Sequence, residues 1–199
     1  TGFRFVKWTE ADTLVSENPS YAFIIQNNRS FIAHFDTLEY TISATINPEN
    51  AGIIEGLGIY KHGSTVGLTA IPSVGYHFVG WKKNGYYISY EPSISFNAVQ
   101  DIDFIAEFDI DWHLVMPNAF PEDGGAVSGQ GWYPYGTNVT VTAIPSGDYL
   151  FVTWTNGQDT VSINPVYSFI LENSLNLTAH FAKEYNITIN ANPEEGGIV

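Results

Sequence analysis

Residues 40–81 read YTISATINPENAGIIEGLGIYKHGSTVGLTAIPSVGYHFVGW, and residues 113–154 read HLVMPNAFPEDGGAVSGQGWYPYGTNVTVTAIPSGDYLFVTW. Laid over one another, the two stretches keep Pro48 on Pro121, Gly56 on Gly129, Tyr60 on Tyr133, Ala70-Ile71-Pro72 on Ala143-Ile144-Pro145 and Trp81 on Trp154. The same offset of 73 residues separates Trp8, Trp81 and Trp154, and also Phe35, Phe108 and Phe181. The chain is therefore an array of one module of about 73 residues, and those six aromatics are its expected structural core. What recurs is glycine, proline and aromatic residues, which build a fold, and no polar constellation that performs chemistry.

The repeat divides the chain into four expected parts. Residues 1–37 repeat only the later half of the unit, 38–110 and 111–183 are complete modules, and 184–199 repeat only the opening. This organisation is expected of a piece of a longer protein, with short linkers near Phe35–Tyr40 and Phe108–His113 giving an elongated array. The two partial modules are expected to expose strand edges, which invites weak head-to-tail self-association through the ends and pairing with neighbouring repeat modules.

Within a unit the apolar pattern has period two. Ile42, Ala44 and Ile46 alternate with Thr41, Ser43 and Thr45, and Phe104, Ala106 and Phe108 share a face opposite Glu107. Turn chemistry separates these runs: Asn84-Gly85 and Asn156-Gly157 after the tryptophan strands, and Gly-x-Gly in mid-unit. Long helical periodicity is missing. The pattern predicts a mainly β module of six mostly antiparallel strands, with room for a single helical turn in residues 90–100. In the second copy Met116–Phe120 breaks the alternation, which predicts a distorted first strand there.

The formal charge is -14 with seven Lys and Arg, so nucleic acid is excluded as a partner: binding a phosphate backbone needs clustered cations. The chain has no cysteine, which removes disulfides, thiolate metal sites and a Cys nucleophile. No apolar run approaches the roughly 20 residues of a membrane-spanning helix.

The order Tyr-x-Ile, Asn-Pro, Gly-x-Gly-x-Tyr, Thr-Val-x-Leu-x-Ala-x-Pro, Gly-Tyr-x-Phe-x-x-Trp and Ala-x-Phe, carried by Tyr40 to Phe108, resembles the divergent internalin-B-type repeat (InlB B-repeat) of bacterial surface and secreted proteins. The resemblance covers essentially the whole chain. It implies small β-grasp-like modules strung in tandem on extracellular proteins as stalk, spacer or adhesion elements, with no shared catalytic residues and no cofactor.

Candidate chemistry is sparse. Gly56-Leu57-Gly58 and Gly129-Gln130-Gly131 lack the third glycine and the helix of a dinucleotide site, and read as turns. Asp109 and Asp111 are candidate calcium ligands at a module junction; a solvated acidic face is the favoured reading, because Ala182 and Glu184 stand at the matching positions. Lys82-Lys83 reads as a solvated strand edge that discourages aggregation. Trp132, Tyr135 and Trp112 do not recur and are the candidate ligand-binding residues, since flat aromatics stack on a sugar ring or anchor a protein partner. The expected function is a non-catalytic extracellular or cell-surface repeat segment acting as stalk, spacer or adhesin. Its rivals are a carbohydrate- or protein-binding array and an accessory region of a large secreted hydrolase.

Overall fold

The computed structural model describes residues 2–189. One compact unit ends at Asp109 and a second begins at Ile110. The partial module expected at 1–37 falls in the first unit together with the first complete module; residues 190–199, most of the opening expected after 183, lie outside the described residues.

In the first unit the strands are β1 (Phe3–Glu10), β2 (Thr13–Ser16), β3 (Ile32–Thr37), β4 (Glu39–Asn47), β5 (Gly52–Glu55), β6 (Gly58–Lys61), β7 (Thr65–Pro72), β8 (Tyr76–Lys83), β9 (Tyr86–Ser89), β10 (Ser93–Asn97) and β11 (Ile102–Ile110). The second unit holds β12 (Trp112–Phe120), β13 (Gly125–Ser128), β14 (Gly131–Pro134), β15 (Asn138–Pro145), β16 (Tyr149–Asn156), β17 (Asp159–Ser162), β18 (Val166–Ile170) and β19 (Leu175–Lys183). The protein is mainly β, in two repeats of mostly antiparallel sheets.

Each complete module has eight strands, not the six expected, in a five-stranded and a three-stranded sheet. The orders are β6-β4-β11-β8-β9 with β10-β7-β5, and β14-β12-β19-β16-β17 with β13-β15-β18. At the mid-unit Gly-x-Gly, expected as a turn, the chain also changes sheet. Gly56 (φ 90°) separates β5 from β6, and Gly129 (φ 100°) separates β13 from β14. A Cβ on Gly56 would lie 1.9 Å from the Gly67 carbonyl oxygen, so this crossing point excludes a side chain on steric as well as conformational grounds. Residues 93–97 are not a helical turn but β10, paired antiparallel with β7.

The first and last strands of each module lie side by side in the middle of the large sheet. β4 pairs parallel with β11 from Ile42↔Ile102 to Asn47↔Glu107, and β12 pairs parallel with β19 from Val115↔Leu175 to Phe120↔His180. This parallel pair flanked by antiparallel strands is the β-grasp-like feature of the module.

The expected distortion of the second module's first strand does not occur, since β12 is continuous over nine residues. Pro117 is tolerated inside it for a simple reason. Leu114 N–H points towards β19 and meets Ser174 Oγ at 3.0 Å, so by alternation the nitrogen of residue 117 faces the other side, where β14 has already ended at Gly131↔Val115.

Between the two sheets of each module lies one apolar core. Trp81 and Trp154 are completely buried. Each indole N–H donates to a proline carbonyl eleven residues on: Trp8 to Pro19 at 3.2 Å, Trp81 to Pro92 at 3.2 Å and Trp154 to Pro165 at 3.1 Å. Phe108 and Phe181 are 5% and 6% exposed, each lying against a glycine of the small sheet; a Cβ on Gly52 would come within 2.6 Å of Phe108 Cζ, and one on Gly125 within 2.5 Å of Phe181 Cζ. Phe35 does not belong to a buried core: it is 58% exposed. Residues 2–37 supply only the tryptophan side of the module, β2-β1-β3, and no small sheet to close over Phe35, while Trp8 is only half-buried for the same reason.

Candidate functional site

Alternation assigns the two faces of each large sheet. In the first module Ile42 is buried and Tyr40, Ala44 and Ile46 pack on the core, so Thr41, Ser43, Thr45 and Asn47 form the outer row of β4. In the second module Val115 and Pro117 are buried, so the outer row of β12 is Trp112, Leu114, Met116, Asn118 and Phe120. Trp132 is the register partner of Leu114 and shares that face, with Trp112 diagonally across the β12–β14 pair. Trp132 is 62% and Trp112 54% exposed, and Met116, Phe120, Leu150 and Val152 are exposed large apolar residues as well. A row of hydroxyls and an amide in one copy has become, Asn118 apart, an apolar row in the next. Sequence reasoning singled out the two tryptophans but missed Leu114, Met116 and Phe120. The missing signal was the period-two comparison of Thr41, Ser43, Thr45 and Asn47 with residues 114, 116, 118 and 120.

Tyr135 has a different environment from the two tryptophans. It is half-buried, and its ring meets His113 edge-on at 6.2 Å. In the first module Tyr40 and His62 stand at the same two positions, 5.9 Å apart, so the pair has exchanged partners: Tyr-His in one copy, His-Tyr in the other. Tyr135, read as an extra aromatic, replaces His62 and restores the contact that His113 alone would have lost. Tyr133 has a framework role, since its hydroxyl donates to the Gly129 carbonyl at 3.2 Å, as Tyr60 does to Gly56 at 2.6 Å.

The carboxylates of Asp101 and Asp103 hold β4, while Asp111 takes part through its backbone carbonyl. Asp101 Oδ1 accepts the Thr41 N–H at 2.7 Å, Asp103 Oδ1 accepts the Ser43 hydroxyl at 2.7 Å, and the Asp111 carbonyl accepts the Tyr135 N–H at 2.7 Å. Asp109 closes the outer row of β11 in the first unit, while Asp111 falls in the second. Among the described residues no group of three or more His, Asp or Glu is placed to hold a metal ion.

A polar pair recurs on the outer face across the tryptophan strand and the last strand. It is Thr9 Oγ1 with His34 Nε2 at 2.9 Å, Lys82 Nζ with Glu107 Oε2 at 2.6 Å, and Thr155 Oγ1 with His180 Nε2 at 3.0 Å. Lys82 is thus not a solvated edge lysine. Its hydrogen bond to Glu107 holds the ammonium above its ordinary pKa and the carboxyl below its own. Tyr87 OH and Asn47 Nδ2 also donate to Glu107, at 2.9 and 3.0 Å.

These features define a class: a tandem β module whose recurrent residues close two sheets over a buried tryptophan, with surface chemistry that varies from copy to copy. The chain belongs to the divergent InlB B-repeat domain family, whose model matches residues 42–111 and again 116–185. This is a non-catalytic repeat family typical of surface or secreted proteins. No curated protein and no solved structure matches the chain. No helix among the described residues is long and apolar enough to cross a membrane.

Proposed function

We propose that this chain is a non-catalytic stalk or spacer segment of an extracellular bacterial surface or secreted protein, with its outer faces available for adhesion. The observation that carries the reading is the pairing of the first and last strands of each module. Tension transmitted along the chain enters a module at β4 and leaves at β11, which run parallel and adjacent over six register pairs. It therefore acts along the strands and strains the ladder as a set, where a hairpin pulled from its open end breaks one bond at a time. The second module repeats the arrangement with β12 and β19. A spacer under load needs such a connection, and a globular binding domain does not.

Single-molecule pulling tests this reading. The chain has no cysteine, so thiol handles can be introduced at chosen sites. Pulling the first module from residues 38 and 110 should require several-fold more force than pulling from residues 76 and 90, which peels β9 from β8. Equal forces in the two geometries would remove the argument for a load-bearing role.

A second reading, a carbohydrate- or protein-binding array, is favoured by the apolar outer row of the second module. Trp112 and Trp132 stand exposed on one sheet face, and stacking of a sugar ring on such an indole contributes through its apolar ring face. Screening the chain on a glycan array, beside Trp112→Ala and Trp132→Ala, tests it. Binding lost in both variants supports the reading, and an array with no binding counts against the glycan form of it. Tyr135→Ala should lower stability rather than binding, because its ring packs on His113.

A further inference from the structure

Lys82, Glu107 and Asn47 project from three neighbouring strands of one sheet face, β8, β11 and β4, with the carboxylate in the middle. Lys82 Nζ lies 2.6 Å from Glu107 Oε2, and Asn47 Nδ2 donates to Oε1 at 3.0 Å, so one carboxylate holds an amine and a carboxamide on its two oxygens. Tyr87 covers the group. Its hydroxyl donates to Glu107 Oε2, and its ring lies 4.5 Å from Lys82 Nζ. The ring also packs on Gly80, where a Cβ would come within 2.8 Å of Tyr87 Cδ1. About four-fifths of the Lys82 and Glu107 side chains is withdrawn from solvent, at 22% and 19% exposure.

We propose that these three residues form an intramolecular isopeptide bond, in which Lys82 Nζ is acylated by the Asn47 side chain and Glu107 moves the protons. The reaction needs no oxidant, reductant or cofactor. The Lys82 ammonium gives a proton to the Glu107 carboxylate, a transfer that the ion pair itself opposes and that makes the reaction slow, and the neutral amine attacks Asn47 Cγ. A bond forms between Lys82 Nζ and Asn47 Cγ. The Cγ–Nδ2 bond then breaks as Glu107 returns its proton to the departing nitrogen, which leaves as ammonia and takes up the second amine proton as ammonium. Glu107 ends as the carboxylate it began as. Holding amine and amide on one carboxylate replaces a bimolecular encounter by a local one, which is what makes so slow a transamidation accessible.

Two further observations support the assignment. Asparagine side chains commonly react with the backbone N–H of the following residue, but residue 48 is proline and has none, so that competing cyclisation is closed and Asn47 is preserved for Lys82. The second module has Thr155, His180 and Phe120 at the three matching positions, so amine, carboxylate and amide are present together in one copy and absent together in the other. The proposal is independent of the stalk reading, though a tie from β4 to β8 across β11 would reinforce the strand pair that carries load.

Intact-mass measurement of the whole chain after prolonged incubation under native conditions tests it. The expected result is a loss of about 17 Da, the mass of one ammonia. Proteolytic mapping should show a branched peptide joining the segments that contain Asn47 and Lys82, with no such peptide from the second module. Lys82→Arg should abolish the mass loss, and Glu107→Gln should slow it roughly 100-fold or more. An unshifted mass in the folded chain overturns the proposal, and so does a gain of about 1 Da from plain hydrolysis of Asn47. A cross-link that forms equally fast in a folded Glu107→Gln variant also overturns it, and if that variant fails to fold, the peptide map of the unsubstituted chain alone decides.

Discussion

Replacing Trp81 with alanine is expected to lower the stability of its module by about 3–5 kcal/mol, the range for removing a fully buried tryptophan. The side chain has no solvent exposure, packs at 5.8 Å from Phe78 and 6.0 Å from Phe104 between ring centroids, and satisfies its indole N–H on the Pro92 carbonyl. Truncation leaves a large void between the two sheets and removes one of the two hydrogen bonds that the Pro92 carbonyl accepts, the bond from Ala70 N–H at 2.9 Å remaining. Trp154→Ala should behave alike, with the Pro165 carbonyl keeping only its bond from Ala143 N–H. Trp8→Ala should cost clearly less, because Trp8 is only half-buried although it makes the same bond to Pro19. Denaturant unfolding read together with hydrogen exchange of the β7, β8 and β11 amides measures the effect. A loss below about 1 kcal/mol at Trp81, the size expected of an ordinary surface substitution, would mean that the repeated tryptophan is not the keystone of the module.

Gly56→Ala is expected to be the most costly of the small substitutions, at about 2–4 kcal/mol. The left-handed backbone at φ 90° disfavours any side chain, and the new methyl would meet the Gly67 carbonyl at 1.9 Å, a backbone atom that cannot rotate away. Gly129→Ala should follow it, since its Cβ would stand 2.5 Å from the Thr140 carbonyl. Gly63→Ala separates the two causes: its φ is 81° but nothing lies within 4 Å of the added methyl, so only the conformational cost of about 1–2 kcal/mol remains. Shifts in denaturation midpoint at unchanged m-value give the comparison. Equal losses at Gly56 and Gly63 would show that the close approach of β7 contributes nothing.

The 73-residue repetition is enough to reveal the module, its length, its strand character and the identity of its core, because glycines at crossing points and aromatics under the sheets must recur wherever the same backbone recurs. Trp81, Trp154, Phe108 and Phe181 were legible on that ground. Period-two alternation told which residues share a face, but alternation is local and does not say which strands are neighbours. The change of sheet at Gly56 and Gly129 and the parallel run of the first and last strands at the sheet centre emerge only in the folded molecule. Contacts between residues distant in sequence were equally out of reach. Asn47 and Lys82 meet on Glu107, and Tyr135 answers His113, through strands brought together by pairing, and one chain alone holds no record of which side chains its fold will make adjacent.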